Sequence, residues 1–293
     1  MAAPIRPQRT TLEDRLAAPW DGACPTPPPW LRPIAGRLAE LAPLTAAARL
    51  ARLNAWAQDE GVRSGSGRPL RFVPAAPNRG GRGAYERRVH DNGEVPTRDA
   101  PPGDRHDLYN ALMWLAWPRA KARLNALHAA AADSGDAAPG RAPPTRGRLA
   151  DALTLLDENG VLWLSTDRSL TSALRAFDWP ALFVRRRAQV HARVGLRVLG
   201  HGLLARLDAP YKAITAHALP LPLPAHAPDA QVDAALAERL GASPLDPASL
   251  APLPVLGFPG WCDANADPAF YNDPAVFRPG RRRTATAPAS ATR

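Results

Sequence analysis

A histidine, an acid and an amide fall at helical spacing in the most apolar stretch of the chain. They are His106, Asp107 and Asn110, at the head of the run HDLYNALMWLAWP over residues 106–118. Side chains three and four positions apart share a helix face. From Leu108 to Trp117 only Asn110 is polar, so the pattern predicts a helix buried on every side. An amide desolvated there costs about 1–3 kcal/mol unless it finds partners. The set suits three tasks. It can hold a divalent cation through imidazole, carboxylate and amide oxygen. His106 can act as a general base oriented by Asp107. Or Asp107 serves the first turn's free amides while His106 and Asn110 bond a neighbouring loop. Lys121, Asn125 and His128 repeat the spacing beyond Pro118, where the helix kinks or restarts. His201 lies between Gly200 and Gly202 at a strand-to-helix junction, where glycines admit close approach of backbone or ligand or simply make a tight turn.

Residues 85–98 allow two readings. Asn92-Gly93 is a turn pair for a hairpin joining Tyr85–Asp91 to Glu94–Arg98. Tyr85 and Val89 at i, i+4, with Gly93 as C-terminal cap, describe a short helix instead. The hairpin, followed by the helix carrying Asn110, would be similar to a His-Me finger nuclease with His90 as base, although the usual paired residues at the strand end are missing. Other motifs fail. Asp263-Ala-Asn-Ala-Asp267 starts like a calcium loop, but Pro268 and Pro274 stand where Gly and Glu are required. There is no phosphate-binding glycine loop, dinucleotide fingerprint or nucleophile elbow. Cys24 and Cys262 are two thiols without a nearby His, too few for a disulfide frame or a tetrathiolate site.

The elements that must position these residues follow from periodicity and punctuation. Residues 33–60 read as helices broken at Pro43, with Thr45 capping the second and Gly61 ending it. Leu70–Val73 reads as a strand, and 131–148 as an insertion without apolar anchors. Asp151–Ser165 reads as a hairpin turning at Asp157-Glu-Asn-Gly160. A helix follows over Ser169–Ala176 and another from Trp179. Next come a strand over Val194–Leu199, a helix over Gly202–Leu207 and an extended segment over Ala213–Leu221. An amphipathic helix over Asp229–Leu240 stops at Gly241. The expected fold is α+β: one helix-rich domain over 30–279, with short mixed strands and hairpins around a buried central helix. A Pro-rich segment (1–29) precedes it and a basic tail (280–293) follows.

Composition narrows the function classes. The longest apolar run, Ala111–Trp117, is seven residues, against the roughly 18 a membrane span needs. With no secretory pattern after Arg6 and Arg9, the expectation is a cytoplasmic protein without membrane contact. The net charge of +10 suggests nucleic acid or another acidic partner. That signal is diluted. Only Lys121 and Lys212 are lysines among 37 basic residues, an arginine bias typical of GC-rich coding, and residues 278–293 hold five arginines and no acid. Arg79-Gly-Gly-Arg-Gly83 is a short arginine-glycine element of the same kind.

The run over 106–118, with Val95-Pro-Thr-Arg98 before it and Lys121-Ala-Arg-Leu-Asn125 after, resembles the uncharacterised proteobacterial domain-of-unknown-function family 3025. The resemblance continues through 151–160, Gly200-His-Gly-Leu-Leu204, Ile214-Thr-Ala-His217, Pro259-Gly-Trp261 and 270–279. Relatives tend to carry an acid and a lysine where this chain has Ala205 and Arg206. The resemblance implies a bacterial domain over about 30–279 and brings no activity with it. The chemistry is therefore argued from the residues. The expectation is a metal-assisted hydrolase acting on a phosphate-containing substrate. His106, Asp107 and Asn110 form its catalytic set, and a divalent metal is the implied cofactor. Arg98, Lys121, Asn125, Asp151 and His201 are the candidate binding residues. The alternative is a non-catalytic nucleic-acid-binding or protein-binding adaptor.

Overall fold

The computed structural model describes residues 26–75, 83–99, 104–135 and 144–280. Most of the Pro-rich start, Arg79–Arg82, the middle of the expected insertion and the tail beyond Gly280 lie outside the described residues. The fold is α+β and helix-rich, with short mixed strands in small sheets. Helices α1 (Ala35–Leu41) and α2 (Ala46–Asp59) follow the predicted break, and the Thr45 hydroxyl accepts from the Ala48 amide. Strand β1 (Arg71–Pro74) pairs in parallel with β2 (Glu94–Thr97) across α3 (Ala84–Asn92).

Residues 85–92 are therefore helical. Gly93, at φ 70°, caps α3 with its amide on the Val89 carbonyl. His90 sits on that helix and bonds Asp91, so the strand histidine of the nuclease reading does not exist.

Helix α4 (Asp104–Ala116) is the central helix, enclosed from Tyr109 to Leu115. It stops before Pro118, which opens α5 (Pro118–Gly135). The free amides of Arg119 and Ala120 donate to Asp233, a buried carboxylate of α10 (Asp229–Ala242). Pro228 caps α10 without a side-chain bond, and the helix runs through Gly241 rather than stopping there.

The largest departure from the sequence pattern concerns residues 151–165. They are the end of α6 (Pro144–Asn159) running directly into β3 (Gly160–Leu164). Ala152, Leu153 and Leu156 are all buried, a helical stripe that fits the same letters as the expected strand. No loop intervenes. A Cβ at Gly160 would lie 2.2 Å from the Leu156 carbonyl oxygen, so only glycine permits the reversal.

Strand β3 is buried throughout and central to a sheet of order β4-β3-β5-β6. It pairs antiparallel with β4 (Gly195–Val198) and parallel with β5 (Thr215–Leu221), which pairs antiparallel with β6 (Ala251–Pro254). Helix α7 (Arg168–Arg175), a π-helical turn (Pro180–Arg185) and α8 (Arg187–Arg193) lie between β3 and β4. Helix α9 (His201–Leu207) follows β4.

Two junctions meet back to back. The Gly160 carbonyl accepts from the amides of both Leu199 and Gly200. The start of α9 is thereby fixed against the end of α6. Helix α4 is locked to the other end of α9 through Asp208, which accepts from the Tyr109 hydroxyl (2.5 Å) and from Arg105 (2.8 and 2.9 Å). Among the described residues, no helix is long and apolar enough to cross a membrane.

Candidate metal centre

The packing of α4, α6 and α9 brings three side chains to one point. His106 comes from the first turn of α4, Glu158 from the last turn of α6 and His201 from the first residue of α9. His106 Nε2 lies 3.4 Å from Glu158 Oε2, and His201 Nε2 lies 3.4 Å from Glu158 Oε1. The two rings meet edge to face with centroids 4.6 Å apart. One ligand atom from each residue lies within 4.8 Å of the other two. Ligands bound at 2.0–2.1 Å on a tetrahedron stand about 3.3 Å apart, so a small closure of the rings fits the set to a zinc-sized ion. His201 is enclosed, at 6% exposure, while His106 and Glu158 are 36% and 38% exposed. The centre is thus walled on one side and open to water on the other.

Each imidazole presents its other nitrogen to an aspartate. His106 Nδ1 is 3.2 Å from Asp107 Oδ1, and His201 Nδ1 is 3.9 Å from Asp157 Oδ2. This is the arrangement in which outer carboxylates orient metal-ligating histidines. Each aspartate has its own cation. Arg98 grips Asp107 with its backbone amide (3.0 Å) and two guanidinium nitrogens (2.8 Å each). Lys121 reaches Asp157 Oδ1 at 2.5 Å.

Protonation follows from these contacts. Asp107, then Glu158, pull the His106 pKa up to about 9 against its partial burial. Hydrogen bonds from His106 and then His201 hold Glu158 well below the ordinary carboxylate range. Burial works to raise Asp107, but Arg98 and His106 outweigh it and hold the group well down. Burial likewise opposes ionisation of Asp157, and the charges of Lys121 and His201 overcome it.

The residues singled out from sequence separate into groups. His106 and His201 meet at the centre. Asp107 and Arg98 stand behind His106, with Asp107 facing its Nδ1 rather than the ligand point. Asn110 is not at the centre. Its amide nitrogen donates to the Tyr85 hydroxyl (2.6 Å) and its oxygen accepts from Lys121 (3.1 Å), so its desolvation is met by partners within the fold. Asn125 is apart as well, accepting from the Gly65 amide and donating to Glu86. Asp151 is exposed on α6, about two turns from Glu158. The sequence pattern missed Glu158 and Asp157, which read as turn residues in Asp157-Glu-Asn-Gly160. The signal available was the buried stripe at 152, 153 and 156, which continues a helix through both acids.

Over residues 70–281 the chain matches the family described as "Protein of unknown function (DUF3025)". That is well over half its length, and the protein belongs to this family. No curated protein and no solved structure matches it.

Proposed function

We propose that this protein is a metal-assisted hydrolase whose divalent cation is held by His106, Glu158 and His201. The observation that carries the reading is the converging set itself: two imidazoles and a carboxylate share one half-open point, each imidazole backed by an aspartate. Two His and one Glu, with a position left for water, is a donor set known for catalytic zinc. A metal there would lower the pKa of a water and polarise a substrate oxygen. Both oxygens of Glu158 face imidazole, which suits it to ligation rather than to proton transfer.

Charge supports a phosphate-containing substrate. Asp107 and Asp157 are each neutralised by their own cation, so Glu158 alone offsets the ion. A divalent metal would then keep about one net positive charge toward solvent, favouring an anionic oxygen as the next ligand. The cytoplasm of a proteobacterium is the setting this reading assumes. The alternative, an adaptor for nucleic acid or protein, rests on arginine-rich segments that lie largely outside the described residues.

Metal analysis of the purified protein, with His106→Ala and His201→Ala beside it, is the test. About one equivalent of zinc or a similar ion in the wild type, lost in both variants, together with cleavage of a p-nitrophenyl phosphate ester, is expected. A wild type that takes up no divalent metal would overturn the reading. So would one that holds iron, consumes oxygen and leaves such esters intact.

Affinity also carries a pH signature. Metal must displace the His106 proton, so affinity should climb roughly tenfold per unit as pH rises from 6.5 and level off near the His106 pKa. That pKa is about 9. In the metal-free protein the linkage runs the other way. The stability contributed by charged His106 is complete below the ordinary value of 6.5 and is lost as pH rises through about 9. Chelator competition across pH 6–9 measures the first. A flat profile would mean that His106 is not a ligand.

A further inference from the structure

Packing alone does not explain Lys121. Its side chain is 4% exposed, inside a helix-lined interior, where a well-packed apolar side chain is often no less stable than an ion pair. The ammonium has two acceptors and one aromatic ring close by. It donates to Asp157 Oδ1 and Asn110 Oδ1 and lies 5.4 Å from the Trp114 ring centroid. Asn110 in turn is fixed by the Tyr85 hydroxyl. The outcome of this chain is the placement of one atom, Asp157 Oδ2, which is left facing His201.

His201 Nδ1 is buried and has no hydrogen-bond partner. An imidazole that gives its Nε2 lone pair to a metal carries its proton on Nδ1, and a buried N–H needs an acceptor. Asp157 Oδ2 stands at 3.9 Å, about 1 Å beyond hydrogen-bond length. On the other arm of the centre the matching contact, His106 Nδ1 to Asp107, is already made at 3.2 Å. The aspartate contact is therefore made on the exposed arm and open by about 1 Å on the enclosed one.

Resting on the metal reading above, we infer that Lys121 and Asp157 are positioning residues for His201, poised so that metal binding closes the Asp157–His201 contact. Asn110 and Tyr85 complete the scaffold that holds Lys121. The polar residue that the sequence places inside the most apolar helix thus serves the centre at second hand, through a lysine on the next helix.

The test compares zinc affinity by chelator competition in the wild type, Lys121→Met and Asp157→Asn, with thermal melting of the metal-free proteins alongside. Loss of an outer-shell partner typically costs about 10- to 100-fold in affinity. A loss of that size in both variants, in protein that still melts cooperatively, is expected. Zinc affinity unchanged in either folded variant would overturn the inference while leaving the metal reading intact. A wild type without zinc affinity would remove both. Because either variant can fail to fold, the wild type supplies an independent readout. On zinc addition, ring-nitrogen NMR should show a proton on His201 Nδ1 that is protected from exchange. A bare or freely exchanging Nδ1 in the zinc-bound protein would overturn the inference without any variant.

Discussion

Glu158→Ala is expected to abolish metal binding and any hydrolytic activity that depends on it. Glu158 approaches both histidines, each at 3.4 Å, so its removal takes a proposed ligand and also the group that both Nε2 atoms face. Outer partners of a metal site are commonly worth about 10- to 100-fold, and a ligand should exceed that, so the loss in affinity should pass about 100-fold. Glu158→Gln is the sharper probe. It keeps the length and can still bond an imidazole, but it lacks the charge of the only carboxylate in the proposed donor set. Both variants should lose metal, whereas a role in packing alone would spare the glutamine form. A second readout separates the two further. Asp107 is the first cause of the raised His106 pKa and Glu158 the second. In metal-free Glu158→Gln that pKa should fall from about 9 but stay above the ordinary 6.5, as followed by NMR titration. A His106 pKa unmoved by the substitution would show that the 3.4 Å contact carries no interaction.

The parts of this centre differed in how far sequence could reveal them, and the difference has a physical basis. The central helix was legible because Leu108–Trp117 leaves no polar face, and burial from Tyr109 to Leu115 follows from that directly. His106 and His201 stood out because an ionisable ring beside an apolar run or between glycines asks for a reason. Glu158 did not, because Asp-Glu-Asn-Gly is also good turn chemistry. What overrode the turn was tertiary. The helical stripe at 152, 153 and 156 is buried, and Gly160 sits so close to Leu156 that the strand begins without a loop. Residues 84–93 show the converse case. Gly93 suits a hairpin turn and a helix cap equally, and the buried Val89 with the left-handed Gly93 decides for the helix. Asn110 was rightly suspect as a buried amide, but spacing along one helix could not show that its partners come from α3 and α5.

The two glycines around His201 should respond differently to the same substitution, and that contrast probes how the fold holds the centre. A Cβ at Gly200 would fall 2.6 Å from the Glu158 carbonyl oxygen, 2.6 Å from the Gly160 amide nitrogen and 2.7 Å from that of Asn159. All three are backbone atoms at the back-to-back junction of α6–β3 with β4–α9, so nothing near can turn aside. Gly200 itself has an ordinary φ of −71°, which means that the obstacle is contact and not backbone strain. Gly200→Ala should therefore cost about 3 kcal/mol, the upper end of overpacking penalties, by forcing the two junctions apart. At Gly202 the Cβ would lie 2.4 Å from Glu158 Oε2 and 3.1 Å from the Glu158 carbonyl oxygen. The closer atom is the end of a flexible, partly exposed side chain that can swing away. Gly202→Ala should consequently fold with a smaller loss of stability, because the carboxylate yields, and lose metal affinity, because the carboxylate has left the ligand point. Urea unfolding and zinc competition on the two variants read the two effects separately. Equal stability losses with equal zinc affinities would mean that the glycines only make a turn, and that the approach of α9 to Glu158 has no bearing on the metal.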